Sequence, residues 1–220
     1  MKEVWEKQYD KKEPPWNYDK FDKDLSHFFR IRISDNKNFS VIDLGCGNGA
    51  QAHYIEKSRS LPLRPRSPQP LWPENLKFRN NIFDVTATDI VNVLEYDVKN
   101  FIIDDALDSK LTKKYDIIVD RGLIHNLFHL KDKRHKYFEM IGNIIHDESY
   151  IVLKVLSPYE ARFNPATHSG PYRFNEKQLM EFFSGFDFTC IQLKDTFFYS
   201  NIEPYLRGYF SVYKKGNINV

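Results

Sequence analysis

The sequence predicts an α/β chain: a mostly parallel sheet with helices on both faces and an antiparallel hairpin at its C-terminal edge. Three observations predict it. A short apolar run at residues 39–44 passes into a glycine turn and then a helix. Further strand-like runs follow, separated by helices or loops, the order expected of a parallel sheet. The last two strand-like runs have only a loop between them, which suggests the closing hairpin.

Residues 1–25 are polar with interleaved aromatics, Trp5, Tyr9, Trp16, Tyr18 and Phe21. Pro14-Pro15 interrupts any helix there, so short helical pieces around a turn are expected. Phe39-Ser40-Val41-Ile42-Asp43-Leu44 reads as a buried strand, Gly45-Cys46-Gly47-Asn48-Gly49 as a turn, and residues 50–57 as the helix after it. Residues 58–73 contain Pro62, Pro65, Pro68, Pro70 and Pro73 with Arg59, Arg64 and Arg66. Neither a helix nor a central strand tolerates prolines at that density, so residues 58–81 are expected as a Pro/Arg-rich insert. Residues 83–89, 101–103 and 115–120 read as the next three strands, and residues 123–146 carry helical spacing. Residues 150–156 read as a fifth strand. Asn175 is an N-cap for a helix over 176–183, with Leu179, Phe182 and Phe183 on one face. Residues 186–193 and 209–213 read as the closing strands. All of this fits one domain over residues 1–220.

The bulk composition narrows the function classes. With 41 % hydrophobic and 28 % charged residues, the chain reads as an ordinary soluble protein. A net charge of +2 demands neither nucleic acid nor an anionic membrane as partner. No apolar run reaches the roughly 18 residues of a transmembrane helix, and the charged N-terminus lacks the apolar core of a signal peptide. Cys46 and Cys190 stand alone, which argues against a disulfide framework or a cysteine zinc site. A cytoplasmic location is the default. His125 and His129 lie one helical turn apart, but without a metalloprotease glutamate or an obvious third ligand no metal is expected.

The chemistry gathers at the strand ends. A buried strand running into Gly45, Gly47 and Gly49 lets a ligand approach the backbone closely, and the following helix N-terminus offers free N–H groups. Two ligands suit that element: the pyrophosphate of a dinucleotide, or the methionine end of S-adenosylmethionine (SAM). With Ala50 the turn even satisfies the dinucleotide pattern G-x-G-x-x-A. Asp43, two residues before the first glycine, would oppose a pyrophosphate but suits an α-ammonium group. Three further strands end in acids, Asp89, Asp105 and Asp120. Ligands of doubly wound sheets lie across such ends, so Asp89, with Ile90 beside it, could take ribose hydroxyls, and Asp105 the adenine amino group. A sulfonium cation also suits an acidic cleft.

The motif Asp43-Leu44-Gly45-Cys46-Gly47-Asn48-Gly49 is similar to the glycine motif of class I SAM-dependent methyltransferases, whose sheet is Rossmann-like. Asp105-Ala106 after Ile102-Ile103 resembles their adenine-binding strand end, and Tyr115-Asp116-Ile117-Ile118-Val119-Asp120-Arg121-Gly122 their fourth motif. The Arg121-Gly122 ending especially resembles thiopurine S-methyltransferases and the related thiol/halide and tellurite-resistance enzymes. Pro15-Trp16 looks like their aromatic N-terminal lid. Residues 153–157 and Ser169-Gly170-Pro171-Tyr172-Arg173-Phe174 look like their fifth strand and Gly-Pro substrate loop. The resemblance covers most of the chain. It implies SAM as cofactor, S-adenosylhomocysteine (SAH) as product, residues 1–25 as a lid, and a cofactor site of Trp16, Asp43, Gly45, Gly47, Gly49, Asp89, Ile90, Asp105, Ala106 and Asp120. The chain departs from the pattern in one place. Gly49 and Asp89 lie 40 residues apart, and little room remains for a helix between Ile90 and Asn100. Either the insert displaces normal elements, or the ribose contact falls on another residue.

The expected reaction is in-line methyl transfer to a small molecule, with a thiol or other soft nucleophile first. A thiolate needs little base help, whereas an amine or hydroxyl acceptor needs a proton acceptor, for which Asp120 and His125 are the candidates. Rival readings are a methyltransferase acting on RNA or protein through the Pro/Arg insert, a non-catalytic SAM-binding subunit, and a nicotinamide-dependent oxidoreductase, which Asp43 disfavours.

Overall fold

A computed structural model describes residues 2–9, 14, 16–29, 33, 38–58, 82–160, 171–201 and 203–216. Pro15, nearly all of the Pro/Arg-rich insert and Ser169-Gly170 lie outside these residues. Seven strands form one sheet: β1 (Asn38–Leu44), β2 (Ile82–Asp89), β3 (Asn100–Ile103), β4 (Ile117–Arg121), β5 (Tyr150–Leu156), β6 (Phe188–Phe198) and β7 (Leu206–Lys215). Their order across the sheet is β3-β2-β1-β4-β5-β7-β6. The first five are parallel, and β7 runs antiparallel between β5 and β6. The expected architecture is therefore present.

The near-continuous apolar runs of β1, β4 and β5 follow from burial on both faces. Neighbouring Val41 and Ile42 belong to opposite cores, as do Ile117 and Ile118. On one face Ile42 and Ile118 meet Tyr137, Ile141, Leu179 and Phe183. On the other, Val41 and Val119 meet Leu25, Phe28, Ala52 and Ile55. The helices that pack on these faces are α2 (Lys23–His27), α3 (Ala50–Lys57), α4 (Leu123–Leu127), α5 (Arg134–Ile144) and α6 (Glu176–Met180), with Phe28 and Phe183 just beyond the ends of α2 and α6, while α1 (Lys2–Tyr9) buries none of its residues. Among the described residues no helix is long and apolar enough to cross a membrane.

Three stretches differ from expectation besides β4, which starts at Ile117 instead of Tyr115. The helical spacing at 123–146 resolves into α4 and α5, because Phe128 turns into a ring cluster with Tyr172 and Phe174 at centroid distances of 4.6 and 4.7 Å. The Leu130 carbonyl then accepts the N–H groups of Lys133 and Arg134 to start α5. Asn175 does cap α6, in a reciprocal capping box with Gln178, but the helix ends at Met180. A 3₁₀ turn at Ser184–Phe186 delays β6 to Phe188, and both closing strands run longer than expected. The short span between Ile90 and Asn100 holds no helix, as its length leads one to expect. The intervening loop docks instead on the glycine turn, where the Glu95 and Tyr96 N–H groups donate to the Asn48 carbonyl at 3.0 and 3.2 Å.

Candidate active site

From β1 the chain winds through β2 and β3 to one edge, then β4 starts on the other side of β1. That reversal leaves a crevice beyond the C-terminal ends of β1 and β4, where doubly wound sheets bind ligands. A cavity of about 440 Å³ fills it, a volume typical of small-molecule sites. One end is walled by Asp43, Gly45, Gly47, Asp89, Asp105 and Ala106, with Ile90 beside them. The other is walled by Arg121, Gly122, His125, Leu156, Phe198 and Leu206. Trp5 and Tyr9 of α1, with Trp16 and Tyr18, close over the top. Trp16 meets Trp5 and Tyr9 edge-on at 5.8 and 5.7 Å.

At the glycine end, Gly47 has φ +57° and donates its N–H to Asp89 Oδ2 at 3.0 Å. That conformation strains any residue with a Cβ. The nearest atoms to a Cβ there are the Tyr9 hydroxyl at 3.7 Å and Asn17 Oδ1 at 3.9 Å, so the turn faces open space under the aromatic cover. Asp89 also accepts from the Val91 N–H at 3.3 Å and the Tyr9 hydroxyl at 3.3 Å. Burial raises the Asp89 carboxyl and these donors oppose the shift. Asp43 differs: it is buried, and its Oδ2 has no hydrogen-bond partner among the described residues. Burial pushes it up to about 7; Arg121 opposes this, while Asp120 and Asp89 add to it. Asp105 lies in the wall and accepts the Leu107 N–H at 2.9 Å. Cys46 also lines the cavity, where burial and the carboxylates of Asp43 and Asp89 push its thiol up and disfavour the thiolate.

Gly49 and Asp120, two of the expected site residues, lie outside the cavity wall. Gly49 is the N-cap of α3 and packs beneath Leu94, outside the cavity wall. Asp120 shares the face of Ile118 and is buried behind the wall. It accepts the Leu123 N–H at 2.8 Å, the Ile124 N–H at 3.0 Å and the Tyr137 hydroxyl at 2.8 Å. Burial pushes it up to about 7 against those donors. Asp120 is thus a carboxylate that caps the start of α4, with both oxygens engaged by protein donors.

The other end of the cavity, the acceptor end in the proposal below, rests on a buried ion network. Lys154 Nζ bonds Asp22 at 2.7 Å and Asp24 at 2.8 Å. Arg121 Nε reaches Asp22 Oδ2 at 3.3 Å, and its Nη2 donates to the Tyr199 carbonyl. Thr196 and Lys194 complete Asp24 at 2.8 and 2.7 Å. The guanidinium of Arg121 lies over the Phe198 ring at 4.7 Å, a cation–π contact. Sequence reasoning missed this network, although a lone lysine inside the apolar run of β5 is a signal that a buried acid waits for it. It also missed Tyr9 and Phe198 as wall residues.

The sequence matches no protein-family model and no curated protein. Solved structures do match the fold. One, from work on conversion of a disulfide bond into a thioacetal group during echinomycin biosynthesis, superposes with a TM-score of 0.70 at 14 % identity, covering 100 % of this chain and 93 % of that one. A SAM-dependent methyltransferase from Anabaena variabilis matches with a TM-score of 0.68 at 14 % identity, over 98 % of this chain and 95 % of that one. The 1,6-didemethyltoxoflavin-N1-methyltransferase of Burkholderia thailandensis, with SAH bound, matches at 0.62 and 13 % identity, over 98 % of this chain and 87 % of that one. The chain has the Rossmann-like fold of the class I SAM-dependent methyltransferases.

Proposed function

We propose that this chain is a SAM-dependent methyltransferase of a small, soft nucleophile, a thiol first, working in the cytoplasm. The carrying observation is the buried Oδ2 of Asp43 at the foot of the glycine turn, which has no partner among the described residues. A buried carboxylate oxygen without a donor costs free energy that a cationic ligand would recover. The α-ammonium of SAM is such a ligand, whereas a pyrophosphate would be repelled. When bound, SAM supplies an electrophilic methyl group on a sulfonium.

The chain's own residues bind, orient and exclude water. Asp43 would hold the ammonium, Gly47 the backbone approach, Asp89 and Ile90 the ribose edge, and Asp105 with Ala106 the adenine. Trp16 and the α1 aromatics cover them, which strengthens charge interactions below. The soft acceptor is supported by the absence of a competent base among the described residues at the acceptor end. Asp120 is capped and faces away, and Tyr18 is pushed up to about 12, first by burial. The thioacetal work cited above is likewise sulfur chemistry. Positioning and desolvation then carry most of the rate.

A screen of thiols, halides, amines and nucleic acids for SAH release, with calorimetry of SAM, SAH and NAD, tests the reading. Micromolar SAM and SAH binding with turnover of a thiol is expected. NAD binding tighter than SAM would overturn it.

A further inference from the structure

His125 stands between β5 and the cavity, and its ring chemistry follows from one contact. The Leu156 N–H donates to His125 Nδ1 at 3.3 Å. A backbone amide can only donate, so Nδ1 holds a lone pair and the neutral ring must carry its proton on Nε2. Gly122, with φ +99°, leaves room for that nitrogen: a Cβ there would lie 3.1 Å from Nε2 and 3.0 Å from the Phe198 ring. The imidazole and Phe198 pack at 5.3 Å. Burial and then the neighbouring Arg121 hold the imidazolium form off, to about 3. Arg121 is the charged group that acts on the ring, and Leu156, Gly122 and Phe198 lie against it.

We propose that His125 is a hydrogen-bond donor that selects the methyl acceptor, presenting Nε2–H to a lone pair, such as a carbonyl oxygen, next to the acceptor's nucleophile. This rests on the methyltransferase reading and reverses the role of base that the sequence suggests for this histidine. No proton passes to the ring: the methyl–sulfonium bond breaks as the nucleophile–methyl bond forms, and the acceptor enters already nucleophilic. A small molecule that pairs a soft nucleophile with an adjacent hydrogen-bond acceptor is the class this pocket favours over one with the nucleophile alone.

The test uses the full chain. Calorimetry with SAH comes first, since its failure counts against the methyltransferase reading, whereas the next two measurements bear on His125 alone. Long-range 1H–15N spectra of 15N-histidine protein, with the signal identified by its loss in His125→Gln, should show a neutral Nε2–H ring that does not titrate between pH 5 and 8. Affinities of SAH-loaded protein are then compared for methyl 2-mercaptobenzoate, whose ester carbonyl lies beside the thiol, and thiophenol, which lacks it. The ratio of the two should fall about tenfold in His125→Leu and stay within about threefold of wild type in His125→Gln, which keeps a donor. An Nδ1–H tautomer, a titrating ring, or an unchanged ratio in an SAH-binding His125→Leu would overturn the proposal.

Discussion

The two ends of the cavity are built on opposite principles. At the acceptor end, buried charges are satisfied internally: Lys154 and Arg121 share Asp22, and Asp24 collects Lys154, Lys194 and Thr196. At the glycine end, Asp43 is buried with an oxygen that nothing in the described chain satisfies. The difference separates an end whose buried charges the fold itself satisfies from one with a buried carboxylate oxygen that the described residues leave unsatisfied. A complete ion network holds a rigid wall, and removing one member leaves its partners stranded. An incomplete site costs the free protein stability and returns it on binding, the usual exchange of stability for function.

The largest effect should come from breaking the complete end. Asp22→Ala takes from Lys154 one of its two carboxylates and from Arg121 its carboxylate partner, and is expected to lower unfolding free energy by about 3 kcal/mol in urea titrations. A variant as stable as wild type would show that the network does not hold the wall. The same residue sharpens the view of the N-terminal segment as a lid. Deleting residues 2–9, which bury nothing, should leave the sheet folded by circular dichroism, whereas deletion through Asp22 should not.

Asp43→Asn should act with the opposite sign. The native carboxyl is raised to about 7, above its unfolded value near 4. Its ionisation therefore destabilises the fold increasingly from about pH 4 to 7 and fully above 7. The asparagine variant should be more stable than wild type at pH 8 by roughly 2–4 kcal/mol, and the gain should vanish near pH 4. Thermal or urea unfolding across that range reads the difference; an equal gain at both pH values would mean that Asp43 does not titrate in this window.

The smallest effect belongs to the roof. Tyr9→Phe removes one donor to Asp89 while Gly47 and Val91 keep theirs, so SAH affinity should change by no more than about threefold. A loss approaching a hundredfold would make the hydroxyl a principal ligand contact.

Much of the glycine end was legible in the sequence because its determinants are local. A buried strand, a glycine turn, a helix start and Asp43 lie within twenty consecutive residues, and side-chain period alone places them. That Asp120 lies outside the cavity wall follows from the same period: it alternates with Val119 and falls on the face of Ile118, toward α4 and α5. The acceptor end was largely illegible. Asp22 and Lys154 are 132 residues apart, and no local pattern pairs them. His125 was legible as a pocket residue, but its tautomer depends on a Leu156 amide that only the folded β5 brings to it.

The most direct test of the account is a calorimetric titration of SAH into wild type and Asp43→Asn at pH 7. The ammonium should draw Asp43 into its ionised form, so wild type should bind at micromolar levels and release protons, seen as a buffer-dependent heat. Asp43→Asn, more stable in the free state, should bind about tenfold to a hundredfold more weakly and lose the buffer dependence, since a charge-assisted bond is worth about 1.5–3 kcal/mol. Equal affinities and equal buffer dependence in the two proteins would contradict the claim that the incomplete end of the cavity is the ammonium site.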